Sequence, residues 1–219
     1  MNRLALFDCD GTLVDSGATI HRALADSFAR NGHDCPPPAE ARRVIGLSLI
    51  EAMAALLPGR APGEHAEMAE EYKKSFIALR AAGEVEEPLY EGIAELLDAL
   101  EARGWLLGVA TGKSDRGLGH CLACHGIAER FVTLQTADRH PSKPHPSMAL
   151  QAMAEAGAAP ETTVVIGDTN FDMMMAASAG ARGIGVDWGY HHRDELIEAG
   201  AFAVAERPAE VLELMEGKR

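Results

Sequence analysis

The chain has 219 residues, 47% of them apolar, enough for one large or two small domains with a substantial core. A formal charge of −13 argues against nucleic acid or an anionic membrane surface as partner, and an anionic substrate would need a local positive pocket or a metal. Four cysteines are too few for a disulfide framework and the first apolar run is shorter than a secretory core. Together with the lack of any run near the ~20 apolar residues of a membrane span, this predicts a reduced, cytoplasmic protein.

Residues 4–7, Leu-Ala-Leu-Phe, predict a buried strand that is too short for a helix. It delivers Asp8 and Asp10 to a turn at Gly11, where the backbone can adopt positive φ. Two carboxylates this close repel by roughly 4 kcal/mol at an effective dielectric of 20. A cation between them, or a proton on one, relieves that repulsion.

From residue 17 to about 83 the pattern is helical. Ile20, Leu24 and Phe28 make an amphipathic stripe, which Pro36-Pro37-Pro38 is expected to stop. Ser48-Leu49-Ile50-Glu51 has the form of a capping box, followed by Met53, Leu56 and Leu57. A third helix carries Met68, Tyr72, Phe76 and Leu79, with Glu70 and Lys74 placed to pair at i,i+4. The acidic stretches 64–71 and 84–87 are expected to be solvated faces.

From Pro88 onward short apolar runs alternate with helical patterns. Strands are predicted at 106–110, 131–134, 163–166, 183–186 and 202–205, and helices at 93–103, 114–125, 148–156 and 172–179. This alternation predicts an α/β fold: a doubly wound, Rossmann-like parallel sheet with helices on both faces. The helical block is then an insertion after the first strand. It occupies 16–87, the core takes 1–15 and 88–219, and the connections near 14–18 and 82–90 form a double hinge.

Four motifs fall at the carboxyl ends of predicted strands, the edge where open α/β sheets bind ligands. Asp8 and Asp10 are the first. The second, Thr111-Gly112-Lys113-Ser114, offers a hydroxyl and amides to an anion at a helix start. The third, Ser142-Lys143-Pro144-His145-Pro146, holds a lysine on a stiff loop. The fourth, Gly167-Asp168-Thr169-Asn170-Phe171-Asp172, brings two more carboxylates, of which Asp168 suits a metal and Asp172 also suits a helix N-terminus. Three aspartates are hard oxygen ligands suited to Mg²⁺, and Thr111 and Lys143 are phosphate donors. One metal, two acids and an anion pocket predict phosphoryl transfer.

In residues and in order, these motifs resemble the haloacid dehalogenase superfamily of hydrolases, and the helical insertion looks like that family's C1 cap. Ala110-Thr111-Gly112-Lys113, Gly46-Leu47-Ser48 and Asp187-Trp188-Gly189-Tyr190 look most like the phosphoglycolate phosphatase branch. The resemblance implies a Mg²⁺-dependent phosphatase acting on a small phosphorylated metabolite. Asp8 would be the nucleophile that forms an aspartyl-phosphate, and Asp10 the general acid and base. The Asp8 carboxylate, the Asp10 backbone carbonyl and Asp168 would hold the metal. Thr111, Gly112 and Lys143 would bind phosphate, with Asp172 supporting Lys143 or a metal-bound water. Asp10 favours phosphatase over dehalogenase, since the family's dehalogenases lack an acid there. Where related sequences often carry Pro-Gly at the second hinge, this chain has Glu91-Gly92. A phosphomutase on the same core and a non-catalytic binding protein are the alternatives.

In the cap, Arg42 or Arg43, with the turn at Gly46, is either placed to meet a substrate carboxylate across the cleft or is a solvated surface arginine. Cys121-Leu122-Ala123-Cys124-His125 has the form of a haem attachment site, which needs an exported protein and none is indicated; a zinc set of His120, Cys121, Cys124 and His125 would lie on one short helix without distant partners, and Cys121 is assigned to the core face. Cys9, flanked by two acids, is assigned to space filling. His191 and His192 are assigned to the start of the following helix or to the rim of the site.

Overall fold

The N-terminal apolar run forms β1 (Asn2–Phe7), whose last four residues are buried. In the computed structural model, which describes residues 1–217, β1 lies inside a six-stranded sheet. The other strands are β2 (Trp105–Thr111), β3 (Phe131–Thr136), β4 (Ala158–Gly167), β5 (Arg182–Val186) and β6 (Ala203–Ala205). Their order is β3-β2-β1-β4-β5-β6 and every pairing is parallel. A run buried without alternation is what a parallel strand shows when both faces are covered.

The two-residue period of β1 divides the core. Ala5 and Phe7 pack with Leu97 of α5 (Ile93–Ala102), Leu118 of α6 (Asp115–Cys124) and Val211 of α10 (Pro208–Met215). Leu4 and Leu6 pack on the other face with Met148 of α7 (Ser147–Ala156) and Met175 of α8 (Asn170–Ser178). Leu196 of α9 (Arg193–Glu198) meets Met173 and Val204. Leu6 is fully buried. Leu6→Ala is therefore expected to lower unfolding free energy by about 2–5 kcal/mol in urea titration, through lost transfer energy and the cavity left behind.

The insertion consists of α1 (Gly17–Arg30), α2 (Pro38–Arg42), α3 (Leu49–Leu56) and α4 (Pro62–Ala81). Leu24, Phe28, Met53 and Met68 form a cluster drawn only from these helices. Its entering and leaving strands run side by side: Asp15 N–H donates to the Pro88 carbonyl at 2.9 Å and Tyr90 N–H to the Leu13 carbonyl at 3.1 Å.

Local details differ from the sequence reading. α1 ends at Arg30, before the prolines, and Pro38 opens α2, a position where its missing N–H costs nothing. Ser48 caps α3 in position only, its hydroxyl bonding the Glu51 carboxylate. On α4 the ion pairs are Glu70–Lys73 and Glu71–Lys74, each at i,i+3, in place of Glu70–Lys74. Among the described residues no helix is long and apolar enough to cross a membrane.

Candidate active site

Strand register assembles the site. Phe7 pairs with Val109 on one side and Ile166 on the other, so Asp8, Thr111 and Asp168 leave the sheet at one edge. The turn after Asp10 requires Gly11, whose φ is +80°. A Cβ there would also lie 2.1 Å from Asp168 Oδ2. This glycine admits the fourth motif's acid beside the first.

Asp8, Asp168 and Asp172 are buried, and one carboxylate oxygen from each lies within 4.8 Å of the others. Lys143, on the loop after β3, has a fully buried side chain between them, with Nζ 2.6 Å from Asp172 Oδ1 and 3.0 Å from Asp8 Oδ1. Thr169 fixes Asp172 from the start of α8, its N–H and hydroxyl donating to Oδ2 at 3.1 and 2.7 Å. Asp168 accepts from the Thr12 hydroxyl at 2.8 Å and from Tyr190 N–H at 3.0 Å. Asp8 Oδ1 also accepts from Cys9 N–H at 2.6 Å, whereas Asp8 Oδ2 is buried with no hydrogen-bond partner.

Three carboxylates and one lysine leave an excess of negative charge in a dry site. Burial pushes the Asp8 carboxyl up to about 7, with the charges of Asp172 and Asp10 adding to it and Lys143 opposing. Asp168 is raised well above the usual carboxylate range, first by burial and then by the charge of Asp8. Burial alone would lower Lys143, but Asp172 and Asp8 hold it above the ordinary lysine range.

The Asp10 carboxylate points elsewhere. It accepts from the Ser16 hydroxyl and lies 3.0 Å from Lys113 Nζ. Lys113 Nζ is also 2.6 Å from the Glu87 carboxylate, with both side chains at most 10% exposed. Glu87 is therefore not part of a solvated acidic face. It stands on the second connector between the helical block and the core, and Lys113 ties it to Asp10. Sequence reasoning assigned Lys113 no role, because a lysine's partner 26 positions away leaves no local signal. Lys113→Met leaves Glu87 and Asp10 without their shared cation; on the role the resemblance implies for Asp10, it is expected to lower kcat roughly 10- to 100-fold by releasing Asp10 from its position. Steady-state phosphate release checks this.

The other candidates divide. Thr111 Oγ1 accepts from Lys113 N–H at 3.2 Å, which leaves the hydroxyl proton available to an anion. At Gly112 a Cβ would stand 2.4 Å from the Leu47 carbonyl oxygen, so the loop from Gly46 to Leu47 closes directly on the β2 end. Gly46 itself, at φ +101°, sits against Thr169. Ser48 N–H donates to Ser142 Oγ at 2.7 Å, beside Lys143. Arg43 does not reach the acid cluster. Its guanidinium forks onto Glu195 of α9 at 2.7 and 2.5 Å, and Arg42 lies over the Tyr190 ring. His192 caps α9, and His191 is buried against Asn170 N–H and the Arg43 carbonyl. Cys9 and Cys121 are buried with sulfurs 3.9 Å apart, Cys124 is exposed, and His125 bonds the Glu87 carbonyl, so the Cys-x-x-Cys-His stretch converges on nothing.

A parallel α/β sheet gathers four acids, the buried Lys143 and the part-buried Lys113 at one carboxyl edge, a site built around carboxylates. A family profile for haloacid dehalogenase-like hydrolases matches residues 5–186. A probable phosphatase, IndB, of Dickeya dadantii is 34% identical over 218 residues, covering 97% of this chain and 93% of its own. A phosphoglycolate phosphatase of Xylella fastidiosa is 30% identical, across 94% of this chain and 90% of its own. The solved structure of a haloacid dehalogenase-like hydrolase from Streptococcus pneumoniae superposes with a TM-score of 0.84 at 27% identity, covering 97% of this chain and 98% of that one. The chain belongs to the haloacid dehalogenase-like hydrolase family, and its named relatives make it a phosphatase.

Proposed function

We propose that the protein is a Mg²⁺-dependent phosphatase that hydrolyses a small phosphomonoester through an aspartyl-phosphate on Asp8, as in phosphoglycolate phosphatases. The observation that carries this reading is Asp8 Oδ2, a buried carboxylate oxygen with no protein partner inside a cluster of three acids. Such an atom is costly unless a cation or substrate meets it. The donor set is all oxygen, which fits a small hard dication. The carboxylates of Asp8 and Asp168 with the Asp10 backbone carbonyl would hold Mg²⁺, which when bound neutralises charge on the phosphoryl oxygens.

Asp8 attacks phosphorus, the bond to the leaving oxygen breaks, and Asp10 donates the proton that oxygen needs. Asp10 then takes a proton from water, which attacks the phosphorus of the aspartyl-phosphate and releases phosphate. Lys143, Thr111 and the Gly112 backbone bind phosphate oxygens, and Asp172 aims Lys143. Residues 16–87 act as a cap on the core formed by 1–15 and 88–219, hinged at the paired connectors. The test is phosphate release from a panel of phosphomonoesters including phosphoglycolate, lost in EDTA and restored by Mg²⁺. Turnover indifferent to EDTA would overturn the metal assignment.

The acid cluster also makes metal binding pH-dependent. In metal-free protein Asp8 titrates near 7 rather than at its ordinary 3.8. The folded state then binds more protons than the unfolded, so stability falls as pH rises from about 4 to about 7. Mg²⁺ favours the charged carboxylate and offsets this loss. MgCl₂ is expected to raise Tm by several degrees at about pH 8 and far less at about pH 5, read by differential scanning fluorimetry. Equal shifts at both would place the ion elsewhere.

A further inference from the structure

A cavity of about 420 Å³ opens between the helical block and the β2 end. Asp10, Gly112 and Lys113 border it, so a group filling it lies beside the acid that serves the leaving oxygen. The rest of the wall is mostly apolar, with Leu24 of α1, Met53 and Leu56 of α3, and Tyr72 and Phe76 of α4. The Tyr72 and Phe76 rings are 5.9 Å apart and tilted by 43°. Ile50 and Ile77 also border the cavity and are 51% and 43% exposed, which leaves large aliphatic surface at its rim.

Arg80 and Arg116 on this wall make no hydrogen bond among the described residues; Arg116 is exposed to water, whereas two nitrogens of Arg80 are not. Arg80, near the end of α4, lies over the Phe76 ring with Cζ 5.2 Å from the centroid. Its Nε and Nη2 are buried with no hydrogen-bond partner. Guanidinium nitrogens withdrawn from water ordinarily meet an acceptor, and even the exposed Arg43 is forked onto Glu195. Glu87 borders the second cavity that Arg80 touches, but its carboxylate is held by Lys113. A ligand acid is the missing partner that this chemistry calls for.

Size points the same way. One water takes up about 30 Å³, so this space accommodates roughly ten or more heavy atoms. The two-carbon leaving group of phosphoglycolate would leave most of it unfilled. We infer that the substrate is a phosphomonoester whose leaving group has an apolar, ring-containing body against Leu24, Met53, Tyr72 and Phe76 and a distal carboxylate that Arg80 binds. This rests on the phosphatase reading of Asp8 and Asp10 and names its substrate class.

The test compares kcat/KM, with Mg²⁺, for phosphoglycolate, phenyl phosphate and 4-(carboxymethyl)phenyl phosphate in the wild type, Arg80→Met and Arg80→Lys. In the wild type the carboxylated aryl ester is expected to exceed phenyl phosphate about tenfold, a charge-assisted hydrogen bond's worth, and phosphoglycolate by more. Arg80→Met is expected to erase the ratio between the two aryl esters, and Arg80→Lys to keep part of it. A wild-type preference for phosphoglycolate over both aryl esters, or an aryl ratio unchanged in Arg80→Met, overturns the inference. Release of phosphate from none of the three, with acetyl phosphate also inert, overturns the phosphatase reading and this inference with it.

Discussion

Asp8→Asn is expected to abolish phosphatase turnover, by about 10⁴-fold or more, while leaving the protein folded. The size follows from the proposed role: loss of a covalent nucleophile would remove the whole two-step route, and nucleophile deletions elsewhere cost on this scale. The folding half follows from charge. Asp8 shares its dry site with Asp168 and Asp172, and among the described residues Lys143 is the single cation touching Asp8 and Asp172. An amide keeps the shape, can still accept from Cys9 N–H, and removes one of the repelling carboxylates. Metal-free Tm should therefore hold or rise, and the Tm gain from Mg²⁺ should shrink with the loss of one ligand. Phosphate release measured beside a melting curve separates the two halves. Substantial turnover in a folded Asp8→Asn protein would remove Asp8 as nucleophile.

Much of this site was legible in the sequence because each part is announced by a strand that stops at a characteristic residue. The apolar runs before Asp8, Thr111 and Asp168 end where the register of β1, β2 and β4 brings them together. Short elements were less legible. α2, α9 and α10 have five, six and eight residues, too few turns for a period to show, and Pro38 reads equally well as a stop or a first residue. Long-range charge pairing was legible only where a motif carried it, as for Lys143 and Asp172, and not for Glu87 and Lys113. Glu87 sits in a run of glutamates that looks solvated, and only the fold places Lys113 against it. Arg43 had two readings in the sequence, a substrate contact or a solvated cap arginine, and the fold adds an acid that neither named, Glu195 of α9. A side chain's local element can be inferred from its neighbours in sequence, whereas its partner depends on which elements the topology makes adjacent.

The second large effect concerns Lys143, where binding and folding are entangled. Its side chain is fully buried between Asp8 and Asp172, so Lys143→Met strands two facing carboxylates in a low-dielectric site. Breaking a buried pair in this way costs about 3–5 kcal/mol, and the variant should melt well below the wild type. Activity should fall by about 10²- to 10³-fold, because the cation proposed to meet the phosphoryl oxygens is lost as well. The two losses separate in the double variant Lys143→Met/Asp172→Asn. Neutralising Asp172 relieves the uncompensated charge, so thermal stability should recover in part while kcat stays at the level of the single variant. If Lys143 were only a structural counter-ion, the double variant would regain activity along with its stability. A urea titration and a phosphate-release assay on the same three proteins decide between these outcomes, and recovery of both would reassign phosphate binding to Thr111 and the Gly112 backbone alone.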